Sequence, residues 1–91
     1  MRVKYYASYR DITGCRDEVV SASGTVGNLL RTLAKRHGEK LQKKLLSPDC
    51  QELGPDAIVL VNGRNITFLG MLEAPLSDTD TIAIFPIVAG G

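Results

Sequence analysis

Residues 81–91 read Thr81-Ile82-Ala83-Ile84-Phe85-Pro86-Ile87-Val88-Ala89-Gly90-Gly91. The run from Thr81 to Phe85 is rich in β-branched and apolar residues, which predicts a strand, and Pro86, with no N–H to give, is predicted to stop it. The side chains then shrink to the two glycines. Without a Cβ such a tail can enter a channel too narrow for other residues, so the main-chain carboxylate of Gly91 is the expected reactive group. Read alone, the dipeptide fits a short flexible tail equally well. What decides between them is the fold that holds the strand.

Working outward, Arg2 to Ser8 alternates: Val3, Tyr5 and Ala7 share one face, Arg2, Lys4 and Tyr6 the other. That pattern predicts a strand with one buried face. Asp11 to Gly14 reads as a turn and Asp17 to Ser21 as a second strand pairing back as a hairpin. The first and last strands are both apolar enough to be central. As neighbours they must run parallel, which demands a long crossover. Ser23-Gly24-Thr25 announces a helix, with Thr25 as N-cap. Val26, Leu29, Leu30, Leu33 and Ala34 then recur at helical spacing, with His37 on the same stripe and Gly38 placed to end it.

A shorter helical piece is expected from Glu39 to Leu46, with Leu41, Leu45 and Leu46 inward, closed by Ser47-Pro48-Asp49. Residues 50–56 read as loop. Ala57 to Val61 is a continuous apolar run, predicting a strand buried on both faces. Asn62-Gly63 is a turn signal, Arg64 to Phe68 a short edge strand, Leu69 to Leu72 a helical turn, and Ser77 to Asp80 another turn. The order β-β-α-(α)-β-β-β is α+β, with one main helix across one face of a mixed sheet of four to five strands: the β-grasp, or ubiquitin-like, arrangement. One domain is expected over residues 1–91, with residues 87–91 as a flexible C-terminal tail.

A formal net charge of +1 argues against nucleic acid as a partner. Lys35, Arg36, Lys40, Lys43 and Lys44 cluster locally; they read as a solvated helical face, with a docking patch for an acidic partner as the alternative. Cys15, Cys50 and the single His37 lack metal-ligand spacing, so no metal site is expected and the thiols are expected to stay reduced in a cytoplasmic setting. There is no leader-like apolar stretch and no segment long enough for a bilayer. His37 lies on the apolar side of a helix, Asp78 and Asp80 lie in a turn, and Gly63 is isolated, so no catalytic set of side chains emerges.

A surface feature does emerge. With Ile82 and Ile84 toward the core, Ala83 and Phe85 face the other way, as does Tyr6 on the first strand. Tyr6 and Phe85 would then share the outer sheet face, an arrangement that marks an interface, with Arg10 supplying charge at its rim. The alternative places Phe85 in the core and Ile84 outside.

These pieces resemble the MoaD/ThiS sulfur-carrier family, most closely the small subunit of molybdopterin synthase. Carrying the resemblance are Val3 to Ala7 with Arg10-Asp11, Thr25-Val26 with Leu29-Leu30 and Leu33, Val61-Asn62-Gly63, and above all Leu76 to Pro86 with Val88-Ala89-Gly90-Gly91. Thr79 and Ile87 depart from the family's frequent Gly and Pro, and residues 46–56 lengthen the chain beyond the shortest carriers. The resemblance implies that an E1-like adenylyltransferase/sulfurtransferase uses ATP to form an acyl-adenylate on Gly91. Sulfur from a persulfide then leaves a C-terminal thiocarboxylate. A second partner, such as the molybdopterin synthase large subunit, would receive the sulfur, with Val88, Ala89 and Gly90 threading its active site and Tyr6, Arg10 and Phe85 forming the shared docking face. ATP and any metal would belong to the partners, this chain binding no cofactor and acting as a non-catalytic subunit. Other members of this type serve tRNA thiolation, thiamine synthesis or conjugation to lysines, and the resemblance leaves those open.

Overall fold

The computed structural model describes residues 1–21 and 24–87. Val88, Ala89, Gly90 and Gly91, and the helix signal at Ser23, lie outside the described residues. The elements run β1 (Arg2–Tyr5), α1 (Ser8–Thr13), β2 (Asp17–Val19), β3 (Gly24–Thr25), α2 (Val26–His37), α3 (Glu39–Leu45), β4 (Ala57–Val61), β5 (Arg64–Asn65), β6 (Pro75–Leu76) and β7 (Thr81–Pro86). The main sheet has the order β2-β1-β7-β4-β5, with β1 and β7 parallel at its centre. This is the expected α+β β-grasp.

Helix α2 begins where the sequence places it: Thr25 is extended and its hydroxyl accepts the Asn28 N–H at 3.3 Å. Val26, Leu29, Leu30, Leu33 and Ala34 are buried against Val3, Tyr5, Val59, Ile82 and Ile84 of the sheet. Each fully buried leucine contributes roughly 1.5–3 kcal/mol relative to exposure, so this one stripe accounts for much of the fold's stability. Gly38 ends α2 at φ 97°, its N–H bonding the Ala34 carbonyl at 2.8 Å. That left-handed conformation also redirects the chain into α3.

Several local expectations are corrected. The first strand stops at Tyr5; Ala7 has φ 52° and is exposed, and Ser8–Thr13 forms a short helix in place of strand and turn. The cause is tertiary: the helix carries Tyr9 fully into the core, a gain that six residues cannot advertise as periodicity. β2 ends at Val19. Only Arg64–Asn65 pairs as an edge; Ile66–Phe68 turns as a 3₁₀ helix because Ile66 is buried and the Asn65 side chain caps the turn by accepting the Thr67 N–H. The next helical turn falls at Met71–Glu73, after Gly70 at φ 107°. A two-stranded ladder of β3 with β6 was not anticipated. The last strand does end at Pro86, which is itself its final residue, opposite Ala57.

Candidate functional site

The outer sheet face follows from register. In the parallel pair Tyr5 stands opposite Ile84, so Tyr6 falls beside Phe85; the Tyr6 N–H bonds the Ile84 carbonyl at 3.1 Å. Their rings stack with centroids 4.2 Å apart and planes 9° apart. Ile82 and Ile84 are fully buried, whereas Ala83 and Phe85 are half-buried on the opposite face. The alternative with Phe85 in the core is thereby excluded.

The antiparallel register continues this face onto β4, with Ile58 opposite Phe85 and Leu60 opposite Ala83. Both are half-buried, alternating with the buried Ala57, Val59 and Val61. The expectation that β4 is buried on both faces is corrected: the helix covers one side only, and Ile58 and Leu60 join the candidate face. A continuous apolar run reads the same in either case, so neither residue could be singled out beforehand.

Arg10, on α1, lines a cleft of about 190 Å³ with Lys4, Tyr5, Tyr6, Arg16 and Asp17. It therefore does stand beside Tyr6, and its Nε is enclosed without a hydrogen-bond partner among the described residues.

The base of the tail lies at the end of β7. The Ile87 N–H donates to the Asp56 carbonyl at 3.2 Å, one step beyond the Ala57–Pro86 pair. Tyr9, fully buried, places its hydroxyl 3.2 Å from that same carbonyl and 3.1 Å from the Lys44 carbonyl. The Lys44 ammonium donates to the Asp56 carboxylate and sits 5.2 Å from the Tyr9 ring centroid. Its hydrogen bond holds the Asp56 carboxyl below the usual carboxylate range. Burial, and secondarily Asp56, push the Tyr9 hydroxyl well above its ordinary value, so it stays a donor. Lys44 thus departs from the solvated face expected of the basic cluster; Lys35, Arg36, Lys40 and Lys43 keep contact with solvent as expected.

Other flagged residues take structural roles. His37 Nε2 lies 2.5 Å from Glu18 and its ring meets Tyr5 edge-on at 5.8 Å. Glu18 also accepts from the Tyr5 hydroxyl and Arg36, both at 2.7 Å. Asp80 closes its turn by accepting the Ser77 N–H at 2.8 Å and the Asn62 amide at 2.9 Å, while Asp78 is exposed. Cys15 and Cys50 are half-buried free thiols. Among the described residues no group of three or more His, Cys, Asp or Glu could hold a metal ion, and no helix is long and apolar enough to cross a membrane.

A five-stranded mixed sheet with parallel central strands and one main helix across one face defines a ubiquitin-like protein. Residues 3–91 match the model of the ThiS family, and the chain belongs to that family, the MoaD/ThiS ubiquitin-like sulfur carriers. It is 31% identical over 93 residues to small archaeal modifier protein 3 of Haloferax volcanii, covering 100% of this chain and 98% of that protein. Among solved structures it is similar to small archaeal modifier protein 1 of Methanosarcina acetivorans (TM-score 0.81, 30% identity, 99% of this chain and 94% of that one). It is likewise similar to a chain of the Amycolatopsis orientalis BexX/CysO complex (TM-score 0.80, 33% identity, 99% of this chain and 98% of that one).

Proposed function

We propose that this chain carries sulfur on the carboxylate of Gly91. An E1-like adenylyltransferase spends ATP to form the acyl-adenylate. A persulfide sulfur attacks the acyl carbon, AMP leaves, and a thiol reduces the resulting acyl disulfide to the thiocarboxylate. The carrier needs no cofactor of its own, and a cytoplasmic setting supplies both ATP and reduced thiols. The observation that carries the reading is the half-buried Tyr6–Phe85 stack on the outer sheet face, beside the strand that leads to residues 87–91. Two half-buried aromatics on an open sheet face fit a docking surface, extended by Ile58 and Leu60 and rimmed by Arg10. One face used for both the activating enzyme and the sulfur recipient makes the two complexes alternate, which suits a shuttle. Val88, Ala89 and Gly90 would thread the partner's site.

The recipient proposed first is the large subunit of a molybdopterin synthase. A second reading, conjugation of Gly91 to lysines as a protein modifier, is favoured by the full-length similarity to small archaeal modifier protein 3. Intact mass of the protein from its native cells separates them. A gain equal to sulfur replacing oxygen supports the carrier, and Gly-Gly remnants on lysines of other proteins support the modifier. A chain lacking Gly91 should fold and fail to be adenylated; thiocarboxylate on that truncated chain would sink both readings.

A further inference from the structure

The groups around Asp56 do more than fill space. β7 ends in Pro86, which has no N–H, so the last main-chain bond holding that strand is Ile87 to Asp56 among the described residues. The acceptor is itself held by side chains from two other elements. Tyr9 reaches it from α1, and Lys44 grips the Asp56 carboxylate from the last turn of α3. The segment from 46 to 56 delivers Asp56 to this point. It folds back through the Leu46–Leu53 bridge, and the Gly54 N–H bonds the Leu45 carbonyl at 2.8 Å.

Four residues follow Ile87, a reach of at most ~14 Å when extended. A displaced Ile87 moves the starting point of that reach, and a misplacement of ~1 Å at a reacting carbon can cost ~100-fold in rate. We propose that Tyr9, Lys44 and Asp56 form an aiming clamp: positioning residues that fix the main chain at Ile87, the point from which the last four residues must reach the partner's site. The clamp rests on the proposed activation of Gly91. It acts on the reacting step and leaves docking to the Tyr6–Phe85 face.

The experiment uses the full chain, wild type and the variants Tyr9→Phe, Lys44→Met and Lys44→Arg, with the host's E1-like adenylyltransferase and ATP. ATP–pyrophosphate exchange gives kcat and KM for the chain, and hydrogen exchange reports the Ile87 amide. Tyr9→Phe and Lys44→Met are expected to lower kcat about tenfold at nearly constant KM and to speed Ile87 exchange about tenfold, with Lys44→Arg close to wild type. A raised KM at constant kcat, or unchanged kcat beside an active wild type, would overturn the clamp. Unchanged Ile87 exchange would overturn it whatever the wild type's activity. A wild type that supports no pyrophosphate exchange, with Ile87 exchange nonetheless altered in the variants, would overturn the function reading and with it the aiming role.

Discussion

Phe85 stacks on Tyr6 at 4.2 Å, while its neighbour Ile84 is completely buried on the other side of the same strand. One residue step along β7 thus separates the proposed docking surface from the core. Phe85→Asp is expected to weaken partner binding at least tenfold while costing the fold only about 1–2 kcal/mol, the stacking and partial burial of one ring. Ile84→Asp buries a carboxylate with no partner and should abolish folding. Thermal melts alongside titration with the activating enzyme check the pair; similar melting losses for both would show that Phe85 serves folding rather than docking.

Glu18 ties β2 to the last turn of α2. Burial raises its carboxyl, but hydrogen bonds from Tyr5, Arg36 and His37 outweigh that and hold it below its ordinary value of 4.5. A folded value below the unfolded one means that Glu18 contributes stability above pH 4.5, lost as pH falls through the folded value. Urea midpoints should therefore fall on acidification below that pH. In Glu18→Gln the fall should be shallower, and the neutral-pH stability lower by about 1–3 kcal/mol, since three donors lose a charged acceptor. Parallel pH curves for the two proteins would contradict this.

Gly54 is required by space. A Cβ there would lie 2.6 Å from the Lys44 carbonyl oxygen and 3.0 Å from the Leu45 carbonyl carbon, both backbone. Gly54→Ala must push the 46–56 segment off the end of α3, costing about 1–3 kcal/mol. Its melting temperature should drop, and Ile87 amide exchange should rise with it, because the displaced segment carries Asp56. Wild-type melting in the Gly54→Ala variant would show that the segment tolerates displacement.

Legibility in the sequence tracked length and regularity. The twelve residues of α2 show their stripe over three turns, so helix, cap and buried face could all be read. The parallel β1–β7 pair followed from two apolar strands and one crossover. Short elements escaped: α1 spans six residues and β3 and β6 two each, too few for any period to register. Tyr6 and Phe85 could be nominated from alternation, and Arg10 from its place four residues after Tyr6. Ile58 and Leu60 could not, because whether the second face of β4 is covered depends on where the single main helix lies.

By itself, the sequence determined the β-grasp order, the alternation that puts Ile84 and Phe85 on opposite faces of the last strand, and a glycine-ended segment as the proposed reactive end; which of those two faces the core was settled by the packing. These rest on local alternation and helical spacing, which neighbouring residues alone impose. Only the tertiary structure decided that Tyr9, Lys44 and Asp56 meet at Ile87, with Lys44 and Asp56 lying 35 and 47 positions from Tyr9 along the chain. No local pattern encodes that meeting. It arises because the core draws Tyr9 inward and the 46–56 segment folds back on α3, bringing distant hydrogen-bonding groups to one carbonyl.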